Sequence, residues 1–319
     1  MSNTIDARAL FANKEIGKAF RNQNTIAQSV SLSGFGFWTG TDVTLQFRPA
    51  PPNSGLVFVR ADRVGHPRIP ALVENRDEKP RQTSLVCNDA RVDMVEHVLA
   101  ALSGLRIDNC EIWTDQPEMP GFDGSSQAFV TALQESGIVA QPVKRPLRVV
   151  TRAFYVGNDH SHLVVTTNRN GICEFCYTLI PEENYPLPTQ RCEFEHTPEN
   201  FCEELARTRT FITKPEADAL LEQGLCQRVT PKDVLVLTDE GPLENSFLCD
   251  DECARHKTLD MTGDFALLGC DLVGTFESFR GSHSLNAECV RQLLDKTMLL
   301  HTEDIPLSSQ EPEFFREVA

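Results

Sequence analysis

Alternating apolar and polar positions predict β-strands in both halves of the chain. In TDVTLQFRP, the apolar residues Val43, Leu45 and Phe47 occupy every second position, and a PPNSG turn separates this segment from GLVFVRAD. Comparable strand-like segments follow further along the chain, at NCEIWTD, LRVVTRAF, HLVVTTN, CEFCYTL, DVLVLTD and DLVGTFESF. We therefore expect a chain that is rich in strands.

Helical periodicity interrupts these strands in each half. Apolar residues recur at helical spacing in residues 94–102, with Asp93 as a possible N-cap and Gly104 as the stop. Ser125 or Ser126 can cap a helix through AFVTALQESG. Further helices are predicted at PENFCEELART, at EADALLEQGL, from about residue 251 to residue 269, and at AECVRQLLDKTML. Strands followed by helices in both halves predict the α+β class.

The length of the chain bounds its domain organisation. At 319 residues it is long enough for two domains with separate cores. The run QPVKRPL, residues 141–147, has two prolines between periodic segments and is typical of an interdomain linker. We predict four parts: an N-terminal extension (1–24), domain I (25–143), domain II (144–305) and a C-terminal tail (306–319).

Composition and charge exclude several classes of function. A net charge of −16 argues against nucleic-acid binding, because phosphate backbones favour Lys/Arg clusters. No apolar run is long enough for a transmembrane span, and the N-terminus lacks the apolar core of a signal peptide. Eleven scattered cysteines, an odd number, indicate reduced thiols rather than a disulfide framework. We expect a cytoplasmic protein, and a monomer.

Two short motifs carry the strongest chemical signal. Glu96 and His97 are adjacent in VEHVLAAL, and His256 and Asp260 lie one helical turn apart in HKTLD. Two histidines and one carboxylate, with a free position for water, are the minimal set for a catalytic zinc ion. Glu96 is then the obvious base for that water.

A simpler interpretation of HKTLD is a solvated ion pair on a helix surface. The surrounding apolar residues, however, predict that this helix faces the core, and Asp264 continues the line of His256 and Asp260 by four more residues. Aligned buried polar groups are costly unless something satisfies them. A metal ion with its supporting hydrogen bonds would do so.

Other histidines and glycines are weaker candidates. His283, in GSHSLN, is either a surface-loop histidine or an imidazolium near the reaction centre. His160 and His162 form a rival metal pair that we expect to be exposed. Cys173 and Cys176 point to opposite faces of a predicted strand, which disfavours joint metal binding. The GFGFWTG segment leads into a strand, so we discount it as a nucleotide-binding loop.

Seven segments together resemble one enzyme family. They occur in order over about residues 25–300: SGFGFWTG, RPAPPNSG, VEHVLAALSGLRIDN, PEMPGFDGSS, ARTRTF, RHKTLDMTGD and GSHSLN. They are similar to UDP-3-O-acyl-N-acetylglucosamine deacetylase, the zinc enzyme of the committed step of lipid A biosynthesis. The resemblance implies two α+β layers, each a mixed sheet with a helix pair, with the helices packed between the two sheets. It also implies hydrolysis of the acetamide of a UDP-linked acylated amino sugar to acetate and the free amine.

The resemblance implies a metal-ligand set and a base. The zinc ligands would be His97 from domain I and His256 and Asp260 from domain II. Glu96 would act as the general base toward the attacking water. The same ligands also accept iron, so Fe²⁺ is an alternative to Zn²⁺.

Further roles are implied around the metal. The hydroxyl of Thr210 would stabilise the oxyanion. His283, oriented by Asp264, would stabilise charge or protonate the leaving amine, and whether Glu96 or His283 delivers that proton stays open. Substrate contacts would come from Lys257 and Phe211.

Three positions depart from the family pattern. Trp38 stands where the family usually has histidine, QRVTPKD (Gln227–Asp233) replaces a glycine-serine stretch, and Thr213 stands where an aromatic residue is often found. Substrate contacts and acyl-chain length are therefore left open. Two alternatives also remain, a non-catalytic zinc-binding regulator on the same fold and a deacetylase of a different amide.

Overall fold

A computed structural model describes residues 14–182 and 186–300. The predicted C-terminal tail, the last residues of predicted domain II and the first 13 residues of the predicted extension lie outside the described residues. The helices are α1 (Lys14–Lys18), α2 (Glu96–Gly104), α3 (Gln127–Glu135), α4 (Pro198–Asn200), α5 (Lys214–Glu222), α6 (Glu252–Phe265) and α7 (His283–Lys296). Short 3₁₀ turns cover Val73–Asn75 and Ala266–Leu268, and a π-helical turn covers Phe201–Leu205.

Twenty strands are described. Those of the first half are β1 (Asn22–Ile26), β2 (Val30–Phe35), β3 (Asp42–Pro49), β4 (Leu56–Arg60), β5 (Arg68–Pro70), β6 (Arg76–Asp77), β7 (Ser84–Cys87), β8 (Ala90–Asp93), β9 (Cys110–Thr114) and β10 (Ile138–Lys144). Those of the second half are β11 (Leu147–Val149), β12 (Phe154–Gly157), β13 (His162–Thr166), β14 (Cys173–Leu179), β15 (Gln190–Glu195), β16 (Phe211–Thr213), β17 (Leu235–Thr238), β18 (Gly241–Pro242), β19 (Asp271–Phe279) and β20 (Met298–Leu300).

The first large sheet has five strands in the order β2-β3-β9-β4-β5. Its pairs are antiparallel except β4 with β9, which run parallel. Val43, Leu45 and Phe47 of β3 are all buried, as the alternation predicts. This one-sided burial gives the sheet an apolar face on which helices pack.

The second large sheet has seven strands built around β19. β19 pairs antiparallel with β13, and parallel with β14 and β11. β15, β12 and β20 extend the sheet outward. Small sheets add the β1-β10 pair, the β6-β7-β8 meander and the β16-β17-β18 group.

The helices lie between the two large sheets. α2 packs directly on α6, α6 lies on β14 and β15, α3 contacts α2 and β2, and α7 contacts α6, β12 and β13. Apolar residues of both sheets and all four helices form one continuous core. The predicted α+β class, with helix pairs between mixed sheets, is confirmed.

Local boundaries differ from the sequence predictions at three places. α2 begins at Glu96, so Asp93 is not its cap; Asp93 ends β8 and pairs with Lys79 instead. The predicted linker is largely strand, because β10 runs to Lys144 and pairs with β1, which leaves two residues before β11. The glycine turn before His283 ends earlier than predicted, since Ser282 caps α7 and His283 is its first residue.

The N-terminal side of the described chain is tied to the second large sheet. Ile16 of α1 is buried against Leu147, Val149 and Val273. The division into domains at residues 24 and 143 stays a prediction. All eleven cysteines lie in the described residues and none is disulfide-bonded, which agrees with the expected free thiols. Among the described helices, none is both long and apolar enough to cross a membrane.

Candidate metal centre and active site

Three candidate ligand side chains meet where α2 crosses α6. The Nε2 atoms of His97 and His256 each lie 3.4 Å from Oδ1 of Asp260. Candidate ligand atoms of these three residues lie within 4.8 Å of one another, and all three side chains are buried. Within residues 14–182 and 186–300, this is the only such group.

The donor set fits a divalent transition metal. His256 donates its Nδ1–H to the carbonyl oxygen of Thr208 at 3.1 Å. The lone pair of Nε2, which faces Asp260, is therefore free to bind a metal. A histidine ligand is commonly held in this way by a hydrogen bond from its second nitrogen. Asp260 also accepts a hydrogen bond from Lys257 at 2.9 Å. Two imidazoles and one carboxylate leave room for further ligands, as in catalytic zinc sites.

A glycine permits the helix crossing that assembles this group. A Cβ atom at Gly263 of α6 would overlap the carbonyl oxygen of Glu96 and lie 3.1 Å from the backbone nitrogen of Ala100. The backbones of α2 and α6 therefore approach more closely than any larger residue allows. This approach places His97 opposite His256.

Glu96 is a buried carboxylate beside the candidate metal ligands. Its side chain lines the same cleft as His97, and one oxygen, Oε2, accepts a hydrogen bond from the backbone N–H of Thr83 at 2.9 Å. Burial raises the pKa of Glu96 above the ordinary range, although the charges of His283 and His97 oppose this shift. A carboxylate of raised pKa is better matched to accepting a proton near neutral pH.

His283 and Asp264 form a second polar pair at the site. His283 Nδ1 lies 2.8 Å from Oδ2 of Asp264, and Asn286 donates to the same oxygen at 2.9 Å. Burial alone lowers the pKa of His283, but the Asp264 charge and hydrogen bond outweigh it and raise this pKa to about 9. The imidazole is therefore protonated at neutral pH and can donate from Nε2.

The remaining predicted residues also reach the cleft. Thr210 and Phe211 line it, and Lys257 Nζ lies 5.6 Å from the centre of the Phe211 ring. The Phe211 ring also packs edge-on against His256, at 6.3 Å. The structure thus brings together every residue that the resemblance assigns to the site, while their individual roles stay predictions.

The cleft has a volume of about 620 Å³ and a large apolar section. The β16-β17-β18 sheet and α5 supply much of this section, through Ile212, Leu220, Leu221 and Val236, and Leu243 adds to it just after β18. Trp38 and Cys226 face it from other loops. A cleft that joins a polar centre to a long apolar wall suits an amphipathic ligand.

The glycine-rich segment has a structural explanation. Glu118 accepts hydrogen bonds from the backbone nitrogens of Trp38 and Thr39, at 2.7 and 3.0 Å, and from the Thr39 hydroxyl. A side chain at Gly36 would overlap the Glu118 carboxylate. The glycine is therefore required so that a buried carboxylate can hold the loop that presents Trp38 to the cleft.

The Gln227–Asp233 segment closes onto this same loop. Arg228 donates to the carbonyl oxygen of Gly40 at 2.6 Å and to Asp42 at 2.7 Å, and its guanidinium lies 4.4 Å from the Phe35 ring centre. Trp38 and Gln227–Asp233, two of the places expected to depart from the family pattern, are thus neighbours at one side of the cleft.

The rival histidine pair does not form a site. His160 is exposed, and His162 stacks between the rings of Tyr155 and Phe279 at 5.1 and 4.8 Å. Neither belongs to a metal-binding group among the described residues. The expectation that this pair lies at the surface is correct for His160, while His162 is half-buried.

Sequence reasoning missed Thr83 and Asn286. Thr83 is fully buried and touches both Glu96 and Asp264, while Asn286 supports Asp264 from the first turns of α7. Asn286 stands three residues after His283, a helical spacing that could have suggested it. Nothing in the RQTSLV segment around Thr83 signals contact with a helix 181 residues away in sequence.

Fold and site together define the class of protein. Two histidines and an aspartate able to hold one metal, beside a buried carboxylate and a charged imidazole, are the equipment of a metal-dependent hydrolase. A family model described as UDP-3-O-acyl N-acetylglycosamine deacetylase matches residues 23–295. The chain belongs to this deacetylase family, which confirms the resemblance carried by the seven segments.

Individual relatives agree with this assignment. The UDP-3-O-acyl-N-acetylglucosamine deacetylase of Myxococcus xanthus is 33% identical over 275 residues, covering 86% of each chain. That of Anaeromyxobacter sp. is 35% identical over 279 residues, covering 86% of this chain and 88% of the relative. The bifunctional enzyme LpxC/FabZ of Chlorobaculum tepidum is 33% identical over 301 residues, covering 85% of this chain but 64% of that longer protein.

We expect the stability of the protein to change with pH as His283, paired with Asp264, loses its proton. The folded pKa of His283 is raised to about 9, against about 6.5 in an unfolded chain. Protonation therefore stabilises the fold fully below about pH 6.5, and this contribution is lost as the pH rises through about 9. The free energy of unfolding of metal-free wild type and of His283→Gln should converge across this window. A difference that does not change with pH would contradict the assignment.

Proposed function

We propose that this chain hydrolyses the acetamide of a UDP-3-O-acyl-N-acetylglucosamine, in lipid A biosynthesis, to acetate and the free amine. Its membership of the deacetylase family supports the substrate class. The observation that carries the proposal is the buried Glu96 carboxylate, which lines one cleft with His97, Asp260 and His283. A protein that only bound metal would have no use for a buried base there.

We propose Zn²⁺ as the resident metal, with Fe²⁺ as the alternative that the same ligands accept. His97, His256 and Asp260 would hold it. When bound, the ion supplies Lewis-acid activation of the water and of the amide carbonyl. Eleven free thiols suit a reducing compartment, so we also propose a cytoplasmic location.

On this proposal, Glu96 and His283 carry out the proton transfers. The backbone N–H of Thr83 occupies Oε2 of Glu96, so Oε1 accepts the proton of the water that attacks the carbonyl carbon. The C–O bond forms, the C–N bond then breaks, and the leaving nitrogen takes up a proton. His283 is protonated and has Nε2 free, because Nδ1 faces Asp264, so it is the acid best placed by charge.

The surrounding residues would position the substrate. The Thr210 hydroxyl is assigned to the carbonyl oxygen as negative charge develops on it. Lys257 and Phe211 border the ligand group and are assigned to substrate contact. The apolar wall along α5 and the β16-β17-β18 sheet would bind the acyl chain. Trp38, which lines the same cleft, would influence how that chain fits.

Acetate release from UDP-3-O-(3-hydroxyacyl)-N-acetylglucosamine tests the proposal. Protein loaded with one zinc ion should turn over at least one acyl length, and chelated protein should not. A series of acyl lengths would show how the Trp38 loop and Gln227–Asp233 set the length preference. If folded, zinc-loaded protein releases no acetate at any length, the proposal fails and the regulator or a different amide substrate takes its place.

A further inference from the structure

Thr83 lies just before β7, at the centre of the site, and each of its own polar atoms makes a hydrogen bond there. Its backbone N–H donates to Oε2 of Glu96 at 2.9 Å, and its carbonyl oxygen accepts from the backbone N–H of Val95 at 3.1 Å. Its hydroxyl donates to Oδ1 of Asp264 at 2.5 Å and lies 3.3 Å from Nδ1 of His283. The side chain is fully buried and lies behind the residues that line the cleft.

These contacts join groups from separate parts of the fold. Glu96 begins α2, Asp264 lies near the end of α6, and His283 begins α7. Thr83 is in direct hydrogen-bond contact with Glu96 through its backbone and with Asp264 through its side chain. The proposed base, Glu96, and the proposed acid with its partner, His283 and Asp264, are therefore held in place by the same residue.

The hydroxyl matters because Asp264 is wholly buried. This carboxylate receives three hydrogen bonds, from Thr83, Asn286 and His283. A buried carboxylate that loses a donor is left partly unsatisfied, which costs free energy and frees the group to move. The imidazole that Asp264 orients would then lose its fixed direction.

We propose that Thr83 is a positioning residue that couples the two proton-transfer groups, its amide fixing Glu96 and its hydroxyl orienting the Asp264–His283 pair. This inference rests on the proposed function for the roles of Glu96 and His283. Its geometric part, the hydroxyl's hold on Asp264, is testable without turnover.

The adjacent residue provides a matched control. Ser84 is equally buried, but its hydroxyl has no hydrogen-bond partner among the described residues. Ser84→Ala thus removes a buried hydroxyl one position away without touching the site. Thr83→Val removes the hydroxyl while keeping its shape and the backbone hydrogen bonds, and Thr83→Ser keeps the hydroxyl.

The kinetic test compares these variants as zinc-loaded full-length protein. Thr83→Val should lower kcat about 10- to 100-fold, the usual cost of losing an outer hydrogen-bond partner at such a site. KM and zinc content should stay unchanged, because Thr83 lines neither the cleft nor the ligand group. Thr83→Ser should recover most of the rate, and Ser84→Ala should behave as wild type.

A second readout does not depend on activity. The carboxylates facing His283 are Asp264, Asp260 and Glu96. Without the hydroxyl donor, less of the negative charge of the Asp264 carboxylate is offset by hydrogen bonding, so this carboxylate favours the protonated imidazole more strongly. The His283 ring should therefore titrate at higher pH in Thr83→Val than in wild type. Nuclear magnetic resonance titration of the His283 ring in wild type, Thr83→Val and Ser84→Ala measures this shift.

The outcomes separate the two proposals. If wild type is inactive but the His283 titration shifts only in Thr83→Val, the proposed function fails and the orienting role of the hydroxyl stands. The inference is overturned if Thr83→Val keeps kcat within about two-fold of wild type with an unshifted titration. It is also overturned if Thr83→Ser and Thr83→Val lose zinc and stability alike, since that is a structural role.

Discussion

Replacing Glu96 with glutamine is expected to lower kcat by about 10²- to 10⁴-fold, the usual contribution of a general base. The amide keeps the size of the side chain and its carbonyl oxygen can still accept the hydrogen bond from Thr83. It cannot take a proton from water, however. Zinc content and the melting temperature should therefore remain near those of wild type. Acetate release measured with metal analysis on the same sample checks this expectation.

Glu74→Gln is the matched control for this variant. Glu74 is exposed and lies in a short 3₁₀ turn outside the cleft, so the same chemical change there should leave kcat unaltered. Activity of Glu96→Gln within a few-fold of wild type would remove Glu96 from the mechanism. Loss of zinc in Glu96→Gln would instead assign it to the support of the ligands.

Gly263→Ala is expected to destabilise the protein strongly, although alanine normally favours a helix over glycine by about 1 kcal/mol. The new methyl group would overlap the carbonyl oxygen of Glu96, which is backbone and cannot rotate away. α2 and α6 must then move apart, which separates His97 from His256. We expect a loss of about 1–3 kcal/mol in the free energy of unfolding, with weaker zinc binding. Urea unfolding and zinc titration measure the two effects.

A second glycine distinguishes this steric effect from helix propensity. Gly17, in α1, has open space where its Cβ would be. Gly17→Ala should be neutral or stabilising by up to about 1 kcal/mol. If Gly263→Ala is as stable as Gly17→Ala and binds zinc equally well, close helix contact is not what assembles the metal site.

The spacing of residues close together in the chain was enough to predict the strands and the candidate ligands. The alternation of Val43, Leu45 and Phe47 is a period that only a half-buried strand uses, and these residues are buried in β3. The four-residue spacing of His256 and Asp260 places both on one side of a helix before any tertiary contact exists. Such features depend on near neighbours in the chain, so they could be predicted.

Helix and strand ends were less predictable. Asp93 has the residue type of an N-cap, but it ends β8 and pairs with Lys79, and α2 starts three residues later. The proline-containing run at residues 141–147 has the composition of a linker, yet its first four residues belong to β10, which pairs with β1. In both cases a long-range partner outweighed a local preference.

By itself, the sequence determined the α+β class, the family and the candidate ligand and acid–base residues, because periodicity, residue type and motif order are local properties. Only the tertiary structure decided which of those side chains meet. It brought His97 to His256 through the close approach at Gly263, and it gave Thr83 its contacts with Glu96 and Asp264. Distances and pKa shifts arise from burial and from charges distant in the chain, so neither can be read from spacing alone.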